Sequence, residues 1–134
     1  MKKLLLAAIV SLTTISSVAL AEIKVGIILG FTGPIETLTP AMRDSAKLAF
    51  AEVSASGALL GGETITPLIG DSTCIDSDAA VAAAELIVSD GAVAIMGADC
   101  SGVTGAIATN VAVPNGVTMV SPSATSPGLT SLAD

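Results

Sequence analysis

Four short apolar runs recur along the chain, and longer stretches with helical periodicity separate them. Such runs, rich in β-branched and small apolar residues, are typical of strands buried on both faces of a sheet. The connections are long enough for right-handed crossovers, which join parallel strands. We therefore expect an α/β fold: a parallel sheet in the order βαβαβαβ with helices on both faces. The predicted strands are Glu22 to Leu29, Thr64 to Gly70, Ala92 to Gly97 and Val117 to Ser121.

The first predicted helix has the clearest boundaries. Thr39 is the expected N-cap, Pro40 suits the first helical position, and Gly57 is a typical C-terminal glycine. Its apolar residues recur at the spacing of a single helix face. That face comprises Met42, Ala46, Ala49, Phe50 and Val53.

Two more helices are predicted downstream. One is capped by Asp76 or Ser77 and ends at Gly91. The other runs from about residue 103 to residue 112, before a turn at residues 114–116. The former presents a narrow face of small residues, which favours close packing on the sheet. Its members are Ala80, Ala83 and Ile87.

Two features limit the predicted sheet. Pro67 cannot donate a hydrogen bond between strands, so the second strand is expected at an edge. A parallel sheet needs cover on both faces, and three helices barely supply it. Because the sequence stops soon after the fourth strand, we expect residues 22–134 to be the first part of a larger lobe.

The N-terminus has the pattern of an export signal. Two lysines precede an apolar segment from Leu4 to Leu20, and Ala19-Leu20-Ala21 fits the small-x-small cleavage motif. A membrane anchor is the alternative, but 17 residues with five hydroxyl side chains make a poor span. We expect residues 1–21 to be removed, leaving an exported chain that does not span the membrane. No cysteine lies near the junction to carry a lipid.

Charge and aromatic content exclude several functions. The chain of 134 residues has 5 Lys and Arg against 12 Asp and Glu, too few cations for the basic patch of a nucleic-acid binder. It contains no His, Trp or Tyr, which removes histidine metal ligands and Ser-His or Cys-His catalysis. A hydrophobic fraction of 51% argues against disorder. We expect no metal, no cofactor and no enzymatic activity.

The two cysteines leave more than one possibility open. Cys74 and Cys100 are the only pair in the chain, and an even number in an oxidising compartment favours a disulfide. Two buried free thiols are the alternative. A zinc site is disfavoured, because two cysteines without histidine fall short of four ligands.

Hydroxyl-bearing residues follow the predicted strands at the edge where α/β sheets bind ligands. Three loops should converge there, at residues 30–33, 98–104 and 122–127. Hydroxyls and free amides at a helix start, without cations, suit a small carboxylate better than a phosphate. Capping and turn formation are the alternative roles, and Phe31 could cover an apolar ligand or fill the lobe. The hydroxyl residues are Ser101, Thr104, Ser121, Ser123, Thr125 and Ser126.

Competing motifs are weak. Gly26, Gly30 and Gly33 do not have the spacing of a dinucleotide-binding loop, and neither a phosphate-binding loop nor a nucleophile elbow is present. The acidic residues Asp71, Asp76 and Asp78 lie near a loop and a helix start, where capping explains them.

Four segments together resemble a known family. They are IKVGIILGFTGP (residues 23–34), Gly70-Asp71 with Cys74, GADCSGVT (97–104) and VSPSATSP (120–127). This combination is similar to the periplasmic branched-chain amino acid binding proteins of ABC transporters, which have the type I periplasmic binding fold. The resemblance implies two α/β lobes joined by a hinge, of which this chain matches the first part of lobe one.

The resemblance also implies roles for individual residues. Ser101 matches the position whose hydroxyl and backbone hold the ligand α-carboxylate. Ser123 matches one whose carbonyl takes the α-ammonium, and Thr125 one that uses its amide and hydroxyl, with Ala124 between them. Cys74 and Cys100 match a lobe-one disulfide. Leu38 stands where these binders tend to have an aromatic residue. Thr104 and Phe31, expected from the positions of their loops and not from the resemblance, complete the expected site.

The implied function is capture of a small amino acid, expected to be branched-chain, and delivery to the permease of an ABC importer. Alternatives within the same fold are an amide, urea or aromatic-acid binder, or a sensor ectodomain. An exported α/β enzyme is a more distant alternative, since it would need a histidine or a phosphate loop that this sequence lacks.

Overall fold

The computed structural model describes residues 22–132 and confirms the βαβαβαβ order. The expected signal segment, residues 1–21, lies outside the described residues. Within 22–132, no helix is both long and apolar enough to cross a bilayer. The elements are β1 (Glu22–Leu29), α1 (Thr39–Ser56), β2 (Thr64–Asp71), α2 (Ser77–Ser89), β3 (Ala92–Gly97), α3 (Ser101–Ile107), a π-helical turn (Ala108–Ala112), α4 (Val113–Asn115), β4 (Thr118–Val120) and a 3₁₀ turn (Pro127–Ser131).

The four strands form one parallel sheet in the order β2-β1-β3-β4. The register of β1 and β2 runs without interruption from Glu22 opposite Thr64 to Leu29 opposite Asp71. β2 is an edge strand, as Pro67 predicts, because an edge leaves one side of the strand free of ladder hydrogen bonds. All four strands therefore end at the same side of the sheet.

Helices lie on both faces, as expected. Alternate residues of β1 point to opposite faces. Gly26 faces α2, whereas Val25 lies with Phe50 of α1 in a shallow groove over β1, β3 and β4. The buried core is centred on the α2 and α3 side. It contains Ile28, Ala80, Ala84, Ile87, Ala92, Ile95, Ala98, Val103, Ile107 and Val111.

Glycine lets α2 approach the sheet closely. A Cβ atom built at Gly26 would lie 2.8 Å from Cγ2 of Ile87, and one at Gly70 would lie 2.8 Å from Cδ1 of the same side chain. Both distances are shorter than non-bonded carbon atoms can approach. The predicted small-residue face of α2 is confirmed, with Ala80 and Ile87 buried. Ala84 is buried beside them, whereas Ala83 is only half-buried.

The start of α1 differs from the prediction. The N-cap is Leu38 rather than Thr39, and Thr39 is the first helical residue. Thr39 is fully buried, and its hydroxyl donates to the carbonyl of Gly30 at 3.0 Å. The hydroxyl therefore fastens the helix to the loop after β1 instead of capping the helix. The predicted apolar face is also only partly buried, since Ala49 and Val53 are exposed.

The third helix is longer than predicted. Helical geometry continues from α3 through the π turn to Asn115, so the expected turn at residues 114–116 is confined to Gly116, whose φ of +64° ends the helix. Pro114 lies just after the π turn. Proline has no N–H to donate within a helix, and in the π turn before it the hydrogen bonds span five residues instead of four.

The fourth strand is shorter than predicted, since β4 covers only Thr118–Val120.

Candidate functional site

Two of the predicted loops meet directly at the carboxyl ends of the strands. The hydroxyl oxygen of Ser101, at the start of α3, accepts the backbone N–H groups of Thr125 and Ser126, each at 3.1 Å. These two residues belong to the loop after β4. The structure therefore brings Ser101 and Thr125 together. Both oxygen lone pairs of Ser101 are used, which leaves its single hydroxyl proton for another acceptor.

The loop after β4 is held by its own serines. The hydroxyl oxygen of Ser121 accepts the N–H groups of Ala124 at 2.8 Å and Ser123 at 3.3 Å. The hydroxyl of Ser123 donates to the carbonyl of Asp99 at 2.8 Å. These bonds fix the backbone of residues 121–124 beside the loop after β3. The side chain of Ser123 is thus engaged by the protein.

Asp99 links the loops at the base of this region. Its side chain is buried, and Oδ2 accepts the N–H of Gly30 at 2.8 Å. Oδ1 accepts the hydroxyl of Ser72 at 3.3 Å and the N–H of Cys100 at 3.0 Å. Sequence reasoning missed this residue. The available signal was an acidic residue placed two positions after a short, wholly apolar strand.

Asp71 fastens Phe31 to the loop after β2. Oδ1 accepts the N–H groups of Phe31 at 2.9 Å and Thr73 at 2.8 Å, and Oδ2 accepts the hydroxyl of Thr32 at 2.7 Å. Partial burial raises the pKa of Asp71, but these hydrogen bonds together outweigh it and hold the pKa below the usual value. Asp71 therefore joins two loops instead of capping a helix, whereas Asp76 does cap α2.

A disulfide joins Cys74 to Cys100, with 5.2 Å between the Cα atoms. This confirms the pairing that the resemblance implies over two free thiols. The bond ties the loop after β2 to the residue that precedes Ser101. A Cβ atom at Gly30 would lie 3.2 Å from Cβ of Cys74, so the loop after β1 also lies against this bridge.

The remaining predicted residues have different surroundings. Thr104 is buried, and its hydroxyl lies 3.0 Å from the carbonyl of Ala98 and 2.9 Å from that of Cys100, so a direct ligand contact by Thr104 stays a prediction. Phe31 is half-buried, with the guanidinium of Arg43 5.9 Å from its ring centroid. Leu38 is 62% exposed, which leaves an apolar side chain beside the loop after β1.

The charged side chains near this region are Asp71, Asp99 and the pair of Arg43 and Asp44. Arg43 pairs with Asp44 at 2.8 Å, and this is the one ion pair among residues 22–132. In the same part of the chain, no cluster of His, Cys, Asp or Glu could hold a metal ion.

Residues 22–132 match the family model described as periplasmic binding protein. The chain belongs to the periplasmic binding protein family. A curated relative is the Leu/Ile/Val-binding protein BraC3 of Rhizobium johnstonii, 33% identical over 128 residues, which are 96% of this chain and 34% of the relative. The chain thus spans about a third of the length of this relative.

Solved structures of periplasmic binding proteins share the fold. The branched-chain amino acid transporter substrate binding protein LivJ of Streptococcus pneumoniae, in complex with isoleucine, matches with a TM-score of 0.72 and 31% identity. That match covers 82% of this chain and 31% of LivJ. A solute binding protein of an ABC transporter from R. palustris, in complex with 4-hydroxybenzoate, matches with a TM-score of 0.67 and 26% identity, covering 82% and 29%.

Proposed function

We propose that residues 22–134 form the first part of the ligand-binding lobe of an exported solute-binding protein. The protein captures a small, branched-chain amino acid in the periplasm and delivers it to the permease of an ABC importer, after removal of residues 1–21. It carries its ligand unchanged and is not an enzyme. Family membership and the ligands named for BraC3 and LivJ support this proposal.

The observation that carries the proposal is the hydrogen bonding of Ser101. Its oxygen is occupied by two N–H donors, so the group that meets its proton must be an acceptor. A carboxylate is the strongest common acceptor of this kind. We propose that Ser101 donates to the ligand carboxylate, and that the carbonyl of Ser123 takes the ammonium. Ala124 and Thr125 lie alongside, with Thr104 behind them and Phe31 facing the ligand side chain.

Calorimetry on the whole protein, as its host produces it, tests the ligand class. Leucine, isoleucine and valine are the test ligands, and heat of binding is expected for at least one of them. Absence of heat for every α-amino acid would reject the proposed ligand. Heat for 4-hydroxybenzoate alone would favour the aromatic-acid alternative, which the R. palustris match supports.

A single substitution tests the role of Ser101. Ser101→Ala removes one charge-assisted hydrogen bond to the ligand, together with the acceptor for the N–H groups of Thr125 and Ser126, and should weaken leucine binding by about 1–3 kcal/mol. Ser89→Ala is a matched control, because Ser89 is exposed and its hydroxyl donates only to the carbonyl of Leu86 within α2. Equal leucine affinities for the two variants would show that the ligand carboxylate binds elsewhere.

A further inference from the structure

We propose that Asp99 is the positioning residue of the ligand site, because it links the loops after β1, β2 and β4 to its own loop after β3. The carboxylate accepts hydrogen bonds from the N–H of Gly30 and the hydroxyl of Ser72, and the carbonyl of Asp99 accepts one from the hydroxyl of Ser123. The bonds to the loops after β1 and β2 are made by the side chain, and the bond to the loop after β4 is made by the main-chain carbonyl; among the described residues no other residue is hydrogen-bonded to all of these loops. The ligand-binding part of this inference rests on the function proposed above, whereas the loop-tethering part does not.

Only a carboxylate satisfies the groups around Asp99. Three donors point at its two oxygens: the N–H of Gly30, the N–H of Cys100 and the hydroxyl of Ser72. An ionised carboxylate only accepts hydrogen bonds, so it meets all three. An asparagine of the same shape would turn its NH₂ group toward one of the two backbone donors. Because the side chain is only 4% exposed, water cannot replace the lost bond.

The carboxylate and the carbonyl of Asp99 form hydrogen bonds in the two loops of the proposed carboxylate site, the loop after β3 and the loop after β4. The carboxylate holds the N–H of Cys100, directly before Ser101. The carbonyl holds the hydroxyl of Ser123, two residues before Thr125. The distance between the Ser101 oxygen and the N–H groups that it accepts therefore depends on both bonds. Asp99 acts on the ligand through Ser101 and the loop after β4, without contacting the ligand.

The test compares Asp99→Asn with Asp90→Asn. Asp90 follows α2 and is exposed, and among the described residues no hydrogen bond is formed by its carboxylate. The first readout is amide hydrogen exchange of the ligand-free protein. Asp99→Asn should speed exchange at Gly30, whose N–H the carboxylate accepts, by about tenfold, with a smaller increase at Thr125 and Ser126 because asparagine keeps the carbonyl that accepts the Ser123 hydroxyl; Asp90→Asn should leave these amides unchanged.

The second readout is the affinity of the folded protein for leucine by calorimetry. Asp99→Asn should weaken it by about tenfold, beyond any loss of folded protein. A residue with a purely structural role would lower the melting temperature and leave the affinity of the folded molecules unchanged. Unchanged exchange at Gly30 in Asp99→Asn, or an unchanged leucine affinity of the folded variant, would overturn the proposal.

Ser123→Ala keeps the test decisive if Asp99→Asn does not fold. It removes one hydroxyl from the carbonyl of Asp99 and leaves the backbone of the loop intact. Exchange at Thr125 and Ser126 should rise by about threefold, and unchanged rates would count against the tether. If the wild-type protein binds no amino acid, the proposed function fails, and the exchange rates still decide whether Asp99 holds the loops.

Discussion

At the scale of single residues, Asp71 makes the loop that carries Phe31 sensitive to acid. Its pKa is depressed in the folded protein, so its contribution to stability is present above the unfolded pKa of about 3.9 and is lost as the pH falls through the folded value. We expect the free energy of unfolding to fall more steeply below about pH 4 in the wild type than in Asp71→Asn. Urea unfolding at several pH values measures this.

Asp78→Asn provides the comparison for Asp71, because Asp78 is exposed and lies in the first turn of α2. Identical pH profiles for the wild type and Asp71→Asn would contradict the stabilising role of the Asp71 carboxylate. The effect should be modest, since the group is only partly buried and solvent screens it.

The same scale shows how much of the site the sequence could reveal. Ser101, Ser123 and Thr125 were predicted because hydroxyl residues after parallel strands gather at one edge. The roles of Asp99 and Asp71 were not predicted, because their partners are up to 69 residues away in sequence. Nothing in the local pattern distinguishes a carboxylate that joins loops from one that caps a helix. Asp76, which directly precedes α2, does cap that helix.

At the scale of elements, the contact between α2 and β1 depends on the absence of a side chain. Gly26→Ala would place a methyl group 2.8 Å from Cγ2 of Ile87, and overpacking of this kind costs about 1–3 kcal/mol. Leucine has no Cγ2 branch, so the same change in an Ile87→Leu background should cost less. Chemical unfolding of the four proteins gives the coupling energy.

Additive effects of the two substitutions would show that α2 shifts to make room for the methyl group and does not clash with it.

The scale of elements also explains the errors in the predicted helix boundaries. Pro114 indicated a turn, since proline usually ends a helix, but the π turn before it keeps the backbone helical to Asn115. Thr39 indicated a cap, yet burial against the loop after β1 gave its hydroxyl a different partner.

At the scale of the whole molecule, the sheet is unevenly covered. On the face that α1 occupies, Val25, Ala94, Met96 and Thr118 line an open groove with Phe50, and Val120 is 66% exposed. We expect residues 22–134, produced alone, to unfold with low cooperativity and to self-associate through this face. Sedimentation and thermal unfolding measure both properties.

Val120→Thr tests the origin of that self-association. It replaces an exposed apolar group of β4 by a polar one with similar strand propensity, so association should weaken. Cooperative two-state unfolding of a monomeric 22–134 fragment would show instead that the helices cover the sheet well enough.

The order of the elements was predictable from the sequence, because it follows from the apolar runs along the chain.

The bridge between Cys74 and Cys100 makes the binding region a product of oxidation as well as of folding. A newly made chain in a reducing cytosol would carry free thiols at Cys74 and at Cys100, which directly precedes Ser101, and the loop after β2 would lack its covalent attachment there. Maturation of the site would then coincide with arrival in an oxidising compartment. Protein purified from a reducing cytosol should therefore bind leucine more weakly until it has been reoxidised.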